Sequence, residues 1–212
     1  VSDHDTLFTG AYTGVVDFGG GPLAASLMAD VFVARYDRYG QAGLPRHEAS
    51  ARFGDILEQR AYGAATTAGG DLVVTGLHDG TLDFGVTSMA DDDQVMDFFV
   101  ARFNQDLSRD QSFGIDGVAT AAFDGGNVPV PRDNDTALAL TFDGDKPVLV
   151  GSVRAFSVGT GDFGLARFTP TGQLDTTFGT GGLRADSFGV NLPSLATVAA
   201  VLSDGKLLVG GG

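Results

Sequence analysis

The sequence predicts an all-β chain, a β-propeller built of four-stranded antiparallel blades and present as roughly three blades of a larger ring. Three observations predict it. One segment is written three times, as DVFVARY at Asp30 to Tyr36, DFFVARF at Asp97 to Phe103 and DFGLARF at Asp162 to Phe168, at offsets of 67 and 65 residues. A second block recurs as LFTG ending at Gly10, LVVTG at Gly76, VLVG at Gly151 and LLVG at Gly210, at offsets of 66, 75 and 59. Apolar residues follow a period of two, and no stretch sustains the three-and-four spacing of a long helix. Insertions fall between the blocks, where loops absorb them, and packed strands do not.

The elements follow in order. The unit complete on both sides predicts strands at Glu58 to Thr67, Leu72 to Leu77, Asp97 to Asn104 and Gly117 to Phe123. The next predicts Thr136 to Phe142, Pro147 to Val153, Asp162 to Thr169 and Gly182 to Phe188. Turn signals separate them: Gly69-Gly70-Asp71, Asp143-Gly144-Asp145, Thr171-Gly172 and Asp204-Gly205. The units divide the chain into a partial blade at 1–57, blades at 58–134 and 135–193, and a partial blade at 194–212. Three strands in the first, four in each of the next two and two in the last fall short of a closed ring, which takes about four to eight blades. Both termini therefore read as cut from something longer, and remaining blades or another chain are expected to close the ring.

In DFFVARF, Phe98 and Val100 share a face with Arg102, while Phe99, Ala101 and Phe103 share the other. Both faces are apolar, which fits a strand buried between two neighbouring sheets better than one in a two-sheet sandwich. The small residue at Ala34, Ala101 and Ala166 leaves room for the adjacent sheet. Calcium β-rolls need a nonapeptide repeat, which is far shorter than this period.

Composition narrows the function classes. Hydrophobic residues make up 43% and charged residues 19% of 212 positions, enough for a core and against disorder. Glycine stands at 32, roughly double the usual 7%, and clusters where blocks end. The formal charge of −14 repels a phosphate backbone and argues against nucleic-acid partners. The chain has no cysteine, so disulfides and thiolate chemistry are excluded. No apolar run approaches the roughly 20 residues of a membrane span.

Equivalent acids and arginines invite a functional reading. Arg35, Arg102 and Arg167 occupy one repeat position, with Asp110 and Asp175 as partners that offset the cost of desolvating a guanidinium. Asp30, Asp97 and Asp162 are expected to cap turns where their strands start. A residue present in every blade reads as architecture rather than as one active site. Asp91-Asp92-Asp93 and Asp133-Asn134-Asp135 place hard oxygen donors in short loops, so Asp91, Asp92, Asp93, Asp133 and Asp135 are the calcium candidates, against a solvated acidic loop. No other cofactor is suggested. His4, His47 and His78 are the only histidines, and none lies in a two-histidine helical motif. His78-Asp79-Gly80 reads as an exposed turn. Neither a Gly-x-Ser-x-Gly elbow nor a phosphate-binding loop is present.

The run DFGLARFTPTGQLDTTFGTGGLRADSFG from Asp162, with SDGKLLVGG from Ser203, resembles the delta-60 repeat of bacterial surface and secreted proteins. FTGAYTGVVDFGGGPL from Phe8, with DVFVARYD from Asp30, resembles the related SBBP β-propeller repeat. The first copy departs from the pattern, having RYGQAGLPR at Arg38 to Arg46 in place of the Asp-x-x-Phe-Gly link. The resemblance implies propeller blades, an extracellular or cell-surface location in bacteria, a lipid anchor elsewhere in some members, and no common activity. The expected role is a non-enzymatic scaffold or binding module whose blade-end loops, Val86 to Gln94 and Gly125 to Asp135, meet a protein or glycan ligand. The competing classes are a polysaccharide hydrolase or lyase acting at the propeller mouth and a calcium-dependent adhesion module.

Overall fold

Strand follows strand throughout the computed structural model, which describes residues 5–38, 44–54, 57–79, 82–83, 88–89, 96–123, 134–153, 161–188 and 194–212. The first sheet comprises β1 (Asp5–Gly14), β2 (Ser26–Asp37) and β3 (Arg46–Phe53) in that order. Next come β4 (Gln59–Thr66) and β5 (Leu72–Asp79), a two-residue ladder of β6 (Leu82–Asp83) and β7 (Ser88–Met89), then β8 (Met96–Phe103) and β9 (Val118–Ala121). The second sheet has the order β4-β5-β8-β9. The third runs β10 (Thr136–Asp143), β11 (Lys146–Val153), β12 (Asp162–Arg167) and β13 (Leu183–Asp186), and the last is the hairpin β14 (Ala196–Val201) and β15 (Leu207–Gly211). Every pairing is antiparallel between neighbours in this order. Among the described residues no helix is long and apolar enough to cross a membrane.

One irregularity repeats and explains the glycine that closes the second sequence block. The first two strands of a sheet slip register between Ala61 and Gly63, between Ala137 and Ala139, and between Ala196 and Val198. Facing these bulges are Gly76, Gly151 and Gly211. A Cβ there would stand 1.7 Å from the Arg60 oxygen, 1.9 Å from that of Thr136 and 1.9 Å from that of Leu195, so only glycine admits the close backbone approach. The block match at Gly210 is thus corrected by one residue: Gly211 holds the place of Gly151. An LLVG string aligned by letters cannot reveal which of two adjacent glycines faces the bulge.

The core lies between sheets, not inside one pair of them. Phe99, Ala101 and Phe103 pack with Val31, Val33 and Val74 between the first and second sheets. Phe98, Val100 and Phe113 pack with Leu149, Ala166 and Phe168 between the second and third. Val148, Val150 and Leu165 pack with Ala196, Leu207 and Val209 between the third sheet and the hairpin. β8 is therefore buried on both faces, and each of its phenylalanines contributes on the order of 1.5–3 kcal/mol by leaving water. Sheets of three, four, four and two strands stacked face after face make this an all-β propeller arrangement, and among the described residues they do not close into a ring.

The links from the third to the fourth strand repeat atom for atom. Asp110 Oδ1 accepts from the amide of Ser112 at 2.9 Å and its hydroxyl at 2.6 Å, and Asp175 Oδ1 does so from Thr177 at 3.1 and 2.6 Å. Gly114 and Gly179 then turn at φ of 57° and 52°. A Cβ at either would lie 2.0 Å from the carbonyl oxygen of Val118 or Leu183. The Asp-x-x-Phe-Gly string is thus an Asx turn followed by a left-handed residue.

Candidate functional site

The repeated arginines sit at one edge of each sheet, where third strand, link and first hairpin turn meet. Arg102 Nη2 bonds Asp71 at 2.7 Å, its Nε lies 3.0 Å from Asp110, and Nη1 donates to the Pro170 carbonyl at 3.3 Å. Arg167 Nη1 bonds Asp143 at 2.8 Å, Nε lies 2.9 Å from Asp175, and the guanidinium covers the Phe178 ring at 4.8 Å. Arg35 takes Glu48 at 3.0 Å and the Gln105 carbonyl. A cavity of about 410 Å³ beside Arg102 is lined by Thr67, Asp71, Phe142, Asp145 and Pro170. With three acceptors already on Arg102, this edge holds neighbouring sheets together.

These acids are held ionised by their surroundings. At Asp175, the hydrogen bond from Lys146 and then that from the Thr177 hydroxyl push the carboxyl well below the usual range, against the opposing effect of burial. At Asp110, burial acts against the charge but is outweighed by the Ser112 hydroxyl and amide and by the Arg102 charge, and the net displacement is downward.

The opposite end of the second sheet gathers buried polar groups. There β5 ends at Asp79 and β8 begins at Met96, and β9 leads through Phe123 towards β10. The amide of Asp135 donates to the Met96 carbonyl at 2.6 Å, and its carboxylate accepts from the Phe123 amide at 3.2 Å. Asp135 thereby ties the feet of two connections, 80–95 and 124–134, to one point. His78 stands opposite both Gln59 and Asp97 in the ladder. All four of these side chains, His78, Gln59, Asp97 and Asp135, are buried.

His78 differs from its expectation. It lies inside β5, not at an exposed turn, because β5 continues to Asp79 and pairs on both sides. The missed signal was the ladder partner Asp97, which falls opposite His78 only once register is known. Asp30 likewise stands within β2, buried and paired with Arg52, because that strand starts early at Ser26 and so leaves no turn for Asp30 to cap. Asp97 and Asp162 stand at the second and first positions of β8 and β12, also buried.

The same end of the third sheet has a different chemistry. There Ser194 replaces Asp135, donating its amide to the Gly161 carbonyl at 2.8 Å, and Val153 stands opposite Asp162 where His78 stands opposite Asp97. The grouping of His78, Asp97 and Asp135 thus has no counterpart at that end of the third sheet, whereas in the first sheet the equivalent Asp30 stands opposite Tyr12 and bonds Arg52. Asp91, Asp92, Asp93, Asp133 and His4 lie outside the described residues. Among the described residues, no three acidic or histidine side chains are grouped so as to hold a metal ion.

One family, described as "Domain of unknown function (DUF5122) beta-propeller", matches residues 148–178, from β11 through the Asp175 turn. No curated protein matches the chain. Fold and family match agree on a β-propeller-like repeat domain.

Proposed function

We propose that this chain is a non-enzymatic binding module of a bacterial exported or cell-surface protein of the delta-60 or SBBP repeat type, with its recognition face at the end of the second sheet. The observation that carries the reading is the 2.6 Å bond from Asp135 to Met96, which brings together the residues at which the connections 80–95 and 124–134 rejoin the strands. Long connections on a rigid sheet are where specificity is placed at little cost to the core. The net charge of −14 favours a basic protein surface or a cation-bridged glycan as partner.

The test replaces 86–94, and separately 125–133, with short Gly-Ser connections. Binding to a panel of bacterial polysaccharides and cell-surface proteins should fall in both variants while the melting temperature holds. Binding that survives both replacements would falsify the reading.

A second reading is a calcium-dependent adhesion module, favoured by the buried Asp97 and Asp135 at the foot of loops that carry Asp91 to Asp93 and Asp133. Calcium should then raise the melting temperature and chelator lower it; identical melts in both would remove it. The hydrolase or lyase class is separated by release of new reducing ends or unsaturated products from the bound polysaccharide.

A further inference from the structure

We propose that the cavity beside Arg102, at the end of the sheets opposite the long connections, binds one amino-sugar unit, a pyranose that carries a free ammonium group. The site is separate from the loop-end recognition face and does not depend on it. Its walls come from two consecutive four-stranded sheets: Thr67, Gly69 and Asp71 from the β4–β5 turn, Phe142 and Asp145 from β10 and the turn after it, and Pro170 from the link after β12. Its volume of about 410 Å³ lies within the roughly 300–1,000 Å³ of small-molecule clefts.

One difference between the units opens this space. Gln105 and Pro170 hold the same place in the repeat, 65 residues apart. Each offers its carbonyl oxygen to the arginine of the preceding sheet, Arg35 or Arg102. Gln105 also donates its side-chain amide to the Gly69 carbonyl at 2.8 Å, which ties the link to the first hairpin turn of its own sheet. Pro170 has no side-chain donor, so the turn of the third sheet at Gly144 and Asp145 is without that tie. Gly144 has open space around it, and Asp145 beside it is exposed.

The walls are rich in acceptors and poor in donors. Arg102 is occupied by Asp71, Asp110 and the Pro170 carbonyl. The nearby Lys146 and Arg167 are taken up by Asp175 and Asp143. Asp71 and Asp110 therefore share one guanidinium, and among the described residues Asp145 has no ion-pair partner. A ligand held here has to donate hydrogen bonds, and a positive charge on it makes the bond to Asp145 a strong one. The rings of Phe142 and Pro170 supply the apolar part of the lining and suit a ligand with a C–H face. A pyranose combines such a face with an edge of hydroxyl donors, and an ammonium group on that edge answers Asp145.

The probe is glucosamine, titrated into the full chain and followed by the amide NMR resonances of the protein. One molecule should bind per chain and shift the resonances of Thr67 to Asp71 and of Gly144 to Lys146. N-acetylglucosamine, which lacks the charge, and methylammonium, which lacks the ring, should each bind about tenfold more weakly. Asp145→Asn should weaken glucosamine by a similar factor and bring it level with glucose, at an unchanged melting temperature because the side chain is exposed. Pro170→Gln should reproduce the tie made by Gln105 and abolish binding without lowering the melting temperature. Absence of binding, binding matched by N-acetylglucosamine or methylammonium, or binding unmoved by both variants overturns the proposal. Loss of binding on replacing 86–94 and 125–133 would put the sugar at the other end of the sheets and overturn it as well, whereas a failed titration leaves the loop-end reading standing.

Discussion

Arg102 donates from Nη1 to the carbonyl oxygen of Pro170, 3.3 Å away in the neighbouring sheet. Arg35 does the same to Gln105, which holds the equivalent place one unit earlier. A residue that reads as an intra-blade partner for a carboxylate is thus also a clasp between blades. Removing it leaves Asp71 and Asp110 without their cation and a carbonyl without its donor. Arg102→Ala is expected to cost about 2–3 kcal/mol, and Arg102→Lys to recover little, because one ammonium cannot address three acceptors in a planar fork. Urea denaturation with an unchanged midpoint would contradict this.

Two glycines with positive φ should respond unequally. Gly114→Ala meets both a left-handed backbone and the Val118 carbonyl oxygen at 2.0 Å, so a loss of about 3 kcal/mol is expected. Gly144 has φ of 65° with open space around it, and Gly144→Ala should cost only about 1 kcal/mol. Equal thermal shifts for both would show that φ alone matters.

Burial on both sides makes β8 the stability centre. Phe98→Ala empties a site sealed by two sheets and should cost about 3–5 kcal/mol, while the partly buried Phe163 at the equivalent position should lose about half as much on the same change. The comparison is made by equilibrium unfolding of the two variants. A larger loss at Phe163 would contradict this ranking.

Acid should unfold the chain by a traceable route. Asp110 and Asp175 are displaced downward in the fold, so each contributes stability that is fully present above the unfolded carboxylate value of about 3.9 and is lost as pH falls through the lower folded value. Stability should hold from neutrality to roughly pH 5 and decline below it. Asp175→Asn lowers stability at neutral pH and flattens that decline. An identical acid profile for the variant would show that Asp175 is not one of the groups responsible.

Much of this architecture was legible because it is local and repeated. The period-two pattern of DFFVARF, the recurrence of its arginine and the turn chemistry of Asp-x-x-Phe-Gly depend on neighbours in the chain, and repetition exposes them without coordinates. The acidic loops could be named from their letters, but nothing in the letters says that Asp135 meets Met96. That meeting joins the second and third sheets, and so does the cover over Phe98.

What the sequence by itself determined, then, is the unit: four short strands, glycine where backbones nearly touch, and a third strand apolar on both faces. Tertiary structure decided which unit end gathers His78, Asp97 and Asp135, why Gly211 and not Gly210 faces the bulge, and where Arg102 sends its last hydrogen bond. The physical reason is range. Side-chain alternation is set by the backbone every two residues, whereas register and packing between sheets are set by partners far away in the chain, which no single segment encodes.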